Sequence, residues 1–148
     1  MKYLLFPFLF LIIGCSSAVD PLDVRIHFIR DENTDRAEDP MVRHEKLRRL
    51  YGAVSMEERG QRLGQYYTVI WNADASLEKE ILFEYQQGGS ASLIKTMRKE
   101  IEPGHASGKE TFSVIGDNYF ENGKVIAWKT SLIVGGETLA TEQSYLWE

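Results

Sequence analysis

What most constrains the fold of this chain is a change of side-chain character at every second residue, repeated segment after segment and broken each time by turn residues. "KEILFEYQQ" (79–87) sets Ile81, Phe83 and Tyr85 against Glu80, Glu84 and Gln86. Successive side chains of a strand point to opposite faces, so this period of two marks a half-buried β-strand. "QYYTVIWNA" (65–73) is rich in aromatic and β-branched residues, with Tyr67, Val69 and Trp71 on one face. "ASLIKTMRKEI" (91–101) alternates Leu93, Met97 and Ile101 with polar neighbours, and "KETFSVIG" (109–116) brings Phe112 and Val114 together. "KVIAWKTSLIV" (124–134) places Ile126, Trp128, Leu132 and Val134 on one face, and "ETLATEQSYLW" (137–147) follows. With "VRIHFI" (24–29), where Val24, Ile26 and Phe28 alternate with Arg25 and His27, the strand candidates number seven.

The breaks between them are as informative. Gly88-Gly89-Ser90, the loop "EPGHASG" (102–108) and "DNYFENG" (117–123) each turn the chain. Gly135-Gly136 is a tight hairpin signal, because both central residues of a type I′ turn need positive φ. Short strands with turn signals at modest intervals predict an all-β protein, an antiparallel β-sandwich of about seven strands. One stretch differs. Residues 41–64 carry Val42, Leu47, Leu50, Tyr51 and Val54 at loosely helical spacing, and Ser55-Met56-Glu57-Glu58 fits a capping box. A short helical insert, limited by Gly60 and Gly64, is expected there.

The final hairpin around an inward tryptophan resembles the immunoglobulin-like and fibronectin-III-like sandwiches. The cysteine pair that bridges the sheets in many of these is missing, since Cys15 is the single cysteine, so the resemblance implies the architecture alone. Tyr119, between the fifth and sixth strands, is a candidate tyrosine corner.

Cys15 stands at the end of "MKYLLFPFLFLIIGC". A lysine, an apolar run and a small residue compose a secretory signal peptide. The run is shorter than the ~20 apolar residues that a membrane-spanning helix needs. Ile12-Ile13-Gly14-Cys15 resembles the lipobox of bacterial lipoproteins. That resemblance implies cleavage after Gly14, diacylglycerol on the Cys15 sulfur, and a cell-envelope address. With Ser16 and Ser17 next, it implies the outer membrane where there are two. Residues 1–14 would be the signal, 15–23 a lipidated tether and 24–148 a single sandwich domain with its insert around 41–64. A body without disulfides must be held by its core.

A formal net charge of −5 argues against nucleic acid as a partner. Asp31, Asn33 and Asp35 sit at alternate positions as in the opening of a calcium loop, but Arg36 and Val42 occupy the glycine and glutamate places, so a solvated acidic loop is the better reading. His27, His44 and His105 are scattered without ligand spacing, and no metal or cofactor is expected. No nucleophile elbow or phosphate-binding glycine loop appears, and no catalytic residue is assigned. The basic run Arg43–Arg49 is one that anionic lipid headgroups could attract; Glu45 interrupts it, and a solvated helix face is the simpler reading. Among the many aromatics, Tyr66, Tyr145 and Trp147 are the rings to test for exposure as ligand-binding platforms. The expected function is non-catalytic binding, first of an envelope protein partner, alternatively of carbohydrate in an adhesion module. A hydrolase built on an unrecognised carboxylate pair is the least favoured.

Overall fold

The computed structural model describes residues 20–30, 39–90 and 92–147. Its elements run β1 (Leu22–Ile29), α1 (Pro40–Leu50), α2 (Met56–Gly60), β2 (Gly64–Asn72), β3 (Lys79–Gln87), β4 (Ile94–Ile101), β5 (Ser107–Ile115), α3 (Gly116–Asn122), β6 (Val125–Val134) and β7 (Glu137–Gln143). The seven strands form two antiparallel sheets, a three-stranded one of order β1-β2-β5 and a four-stranded one of order β4-β3-β6-β7. The protein is an all-β sandwich, as the alternation predicts. In the seven-stranded immunoglobulin arrangement the fourth strand lies beside the fifth; here β4 remains beside β3.

The inward residues of the two sheets meet in one core. Tyr67, Val69, Phe112 and Val114 come from the first sheet, and Ile81, Phe83, Tyr85, Trp128 and Leu132 from the second. Phe83 lies at its centre, with ring centroids 4.6 Å from Tyr67, 5.2 Å from Phe112 and 5.4 Å from Tyr85. Fully burying such a side chain contributes about 1.5–3 kcal/mol. That is how a body without a disulfide is held. Gly135 and Gly136 both take positive φ, 58° and 88°, as the hairpin signal requires.

Three local expectations are corrected. Ile126 leaves the inward face of β6, because the register slips between Gln86 and Gln87. Val125, Ala127 and Trp128 are buried while Ile126 is exposed. The segment read as a plain turn at 117–123 contains α3. Tyr119 rides on that helix with its ring edge-on to Phe120, centroids 5.6 Å apart. Finally, β1 begins at Leu22, inside the stretch read as tether. Gly14, Cys15, the signal segment and the loop from Asp31 to Arg36 lie outside the described residues.

Candidate functional site

The topology gives the sandwich two unlike poles. At the proximal pole the chain enters β1 at Leu22, paired with Trp71. The β2–β3 loop, the β4–β5 loop and the Gly135-Gly136 turn gather there, tied by Gly104 N–H to Ala75 O (2.7 Å) and Gly135 N–H to Glu78 O (2.9 Å). It is acidic: Glu78, Glu80, Glu100 and Glu102 border an open groove of about 370 Å³. Glu80 and Glu100 are directly opposite each other in the β3–β4 ladder. Arg98 offsets their repulsion by donating to Glu80 at 3.1 Å. Lys79 is buried beneath, donating to Leu77 O at 2.6 Å, with its ammonium 5.9 Å from the Trp71 ring.

The distal pole lies one strand length away, about 26 Å for the eight residues of β1. There β1 ends, and α1, α2, α3 and the segment after β7 collect. Among its described residues many large apolar side chains are exposed, and basic residues outnumber acidic ones on the helical insert. Met41, Leu47, Tyr51, Val54 and Met56 are exposed on the helical insert, Tyr51 by 86% and Val54 by 88%. Phe28, Leu93, Phe120, Tyr145 and Leu146 are exposed at the same pole. Among the described residues, Leu77 and Leu139 are the exposed large apolar side chains nearer the proximal pole.

Local sequence explains how the insert is held. The Asp39 carboxylate accepts from Met41 N–H at 2.7 Å and Pro40 stands in the first turn, so α1 starts capped. Inward from α1, Leu50 packs against a second small core of Ile29, Leu63 and Tyr66, with Ile115 beside it. The Arg49 guanidinium stacks on the Tyr66 ring at 4.4 Å. One carboxylate then serves two cations: Glu45 accepts from Arg48 at 2.9 and 2.6 Å and from Arg49 at 2.8 Å. The Arg48 bond above all holds the Glu45 carboxyl down at about 2, against the opposing effect of burial. Arg48 and Arg49, the end of the basic run, are therefore partnered within their own helix by Glu45.

After α1 the chain turns at Gly52 and enters α2 through the predicted capping box. Ser55 Oγ accepts from Glu58 N–H at 3.1 Å, and the Glu58 carboxylate accepts from Ser55 N–H at 3.0 Å and Val54 N–H at 2.7 Å. Those backbone donors hold the Glu58 carboxyl below its ordinary value. Arg62 closes the hairpin, donating to Tyr51 O at 2.5 Å and Arg49 O at 3.4 Å. Arg59 donates to Ala53 O at 3.4 Å. His44, Leu47, Arg48 and Tyr51 line a shallow, largely apolar depression of about 370 Å³ on the outer side.

The three rings singled out in the sequence separate. Tyr66 is buried, which removes it as an exposed platform. Alternation correctly turns it away from the sandwich core, but α1 covers that outer face, and its hydroxyl donates to Arg62 O at 2.8 Å. Burial pushes that hydroxyl above the ordinary tyrosine value. Tyr145 is exposed almost completely, at 99%. Trp147 is half-buried in a turn closed by its N–H to Ser144 O at 3.1 Å. Elsewhere at this pole a polar network positions α3: Gln87 donates to Asn118 O at 2.9 Å and Gly123 O at 2.8 Å, and Lys95 donates to Gln87 Oε1 at 2.8 Å.

Among the described residues no group of three histidines, acids or cysteines is placed to hold a metal ion, and no helix is long and apolar enough to cross a membrane. Compared with protein families, curated proteins and solved structures, the chain matches none.

Proposed function

We propose that this chain is a lipid-anchored protein of a bacterial cell envelope whose body offers the distal pole to a protein partner and does no chemistry of its own. The observation that carries the reading is the opposition of the poles: the chain enters at the acidic one, and exposed apolar side chains concentrate at the other. With lipid on Cys15, the five residue steps to Asp20 reach about 18 Å at most. The proximal pole then stays near the headgroups. Its carboxylates are repelled by an anionic leaflet, which favours a body that stands away from the surface. The pole with the exposed apolar side chains faces outward, where they are open to a partner.

The carbohydrate reading draws support from the Tyr145 ring, though Tyr66 is not available to join it. The hydrolase reading draws support from the acidic groove. The binding reading accounts for more of the exposed apolar surface than either.

A photo-crosslinking amino acid placed at Leu47, in cells carrying the native anchor, tests it. The expected product is one defined envelope protein, absent when the crosslinker is at Leu139 and lost with Cys15→Ala. Equal products from both positions, or none from Leu47, would defeat the reading. Intact mass measurement of the membrane-derived protein should show diacylglycerol and an acyl chain on Cys15.

A further inference from the structure

Resting on the reading of the distal pole as a binding surface, we propose that its partner presents a protein segment with one apolar anchor flanked by acidic residues. The anchor seats in the depression lined by His44, Leu47, Arg48 and Tyr51. Leu47 in the last turn of α1 and Tyr51 just past its end give it an apolar wall, and both are exposed, at 66% and 86%. A concave site that desolvates one anchor residue is where binding energy concentrates.

The charge around it selects the flanks. Glu45 is one carboxylate shared by two guanidiniums, Arg48 and Arg49, which leaves one net positive charge at the edge of the depression. Arg59 and Arg62 give their hydrogen bonds to the neutral carbonyls of Ala53, Tyr51 and Arg49; Glu58 offsets Arg62 in part, and over residues 43–62 six basic residues stand against three acidic ones. Arg62 donates to the carbonyl of Tyr51 itself, so this charge sits at the base of the ring that walls the depression. A carboxylate beside the anchor meets guanidinium on either side, and Arg suits such pairing through its planar fork.

An anionic membrane has the same two chemistries, and the geometry disfavours it. A helix that lies in the headgroup layer needs one continuous apolar face. The exposed apolar residues of α1, Met41, Val42 and Leu47, fall at about 0°, 100° and 240° around the helix. The chain also enters its fold at the opposite pole, about 26 Å off.

The test is a random 12-residue peptide display selection on the native protein purified from membranes in mild detergent. Enriched peptides are expected to share a Leu, Phe or Trp flanked by Asp or Glu. Their affinity should fall by about tenfold or more, roughly 1.4 kcal/mol, with Leu47→Asp or Tyr51→Ala. It should also fall between about 50 and about 300 mM salt. Leu139→Asp should leave it unchanged. Both tested side chains are exposed, so the variants keep the fold, and circular dichroism checks that they do.

Enrichment without acidic flanks, no enrichment, or binding indifferent to both variants would overturn the proposal. So would binding to phosphatidylglycerol vesicles that Leu47→Asp abolishes, since the occupant would then be lipid. Concentration-dependent self-association abolished by Leu47→Asp would equally overturn it, the occupant then being a second copy. A partner crosslinked at Leu47 alongside a failed selection defeats the chemistry assigned here and leaves the binding pole standing. Failure of both removes the pole as well.

Discussion

Gly64 opens β2 with φ of 139°, pressed against the end of β5. A Cβ there would meet the Val114 carbonyl oxygen and lie 2.9 Å from Ile115 Cα. Backbone cannot swing aside as a flexible side chain can. Gly64→Ala should therefore cost about 1–3 kcal/mol, read as a lowered denaturation midpoint with unchanged slope. Glu45 is a second single-residue lever, and its sign follows from its depressed ionisation. The Arg48–Glu45–Arg49 fork is fully formed above the unfolded carboxyl value of 4.5 and is lost as pH falls toward about 2. Glu45→Gln should remove up to about 1 kcal/mol at neutral pH and flatten the stability profile over that acid window. Thermal melts from pH 7 to pH 2 would show it. Tyr66 and Tyr67 mark where sequence stops informing. Period two tells correctly that they face opposite ways. It does not tell that α1, an element with no ladder to β2, lies over Tyr66 and buries it.

At the scale of elements, the strands were legible because each carries its own alternation, and the Ser55 cap because its partner is three residues away. Ser55→Ala should cost about 1 kcal/mol by leaving the Glu58 N–H without its acceptor, with loss of helical signal from α2. Most of what was not legible has a common cause: it depends on partners distant in sequence. α1 exposes Met41, Val42 and Leu47 and buries no residue fully, so it has no clean apolar stripe to announce its length. Ile26 and Phe28 alternate with Val24 as inward residues should, yet both are exposed. The facing strand β7 gives its Glu142 carboxylate to Val24 N–H at 2.7 Å and ends one residue later. The depression beside Leu47 was invisible for a different reason, since its lining residues are near in sequence but scattered among polar ones, and such an insert reads as solvated surface. Between the sheets, Gln65 of β2 accepts from Val125 N–H of β6 at 2.5 Å and also donates to Tyr67 Oη at 3.0 Å. Gln65→Leu strands a buried N–H and should cost about 1–3 kcal/mol, with faster amide exchange at Val125.

For the whole molecule, the decisive quantity is where the fold stands relative to the proposed anchor. Cys15→Ala should move the protein from the membrane fraction to the soluble fraction and leave its thermal midpoint unchanged, because among the described residues the core begins at Leu22. The same two-pole layout has a mechanical consequence. On the proposed anchoring, a pull on the tether would enter at Leu22, while a partner gripping the helical insert would resist from the other end of β1. The load then runs lengthwise along the β1–β2 ladder, whose pairing extends from Leu22–Trp71 to Ile29–Gly64. Rungs sheared lengthwise share the force and yield together, whereas rungs peeled from one side would give way singly. A protein stretched between a lipid surface and its partner would in this way be gripped along its most resistant direction.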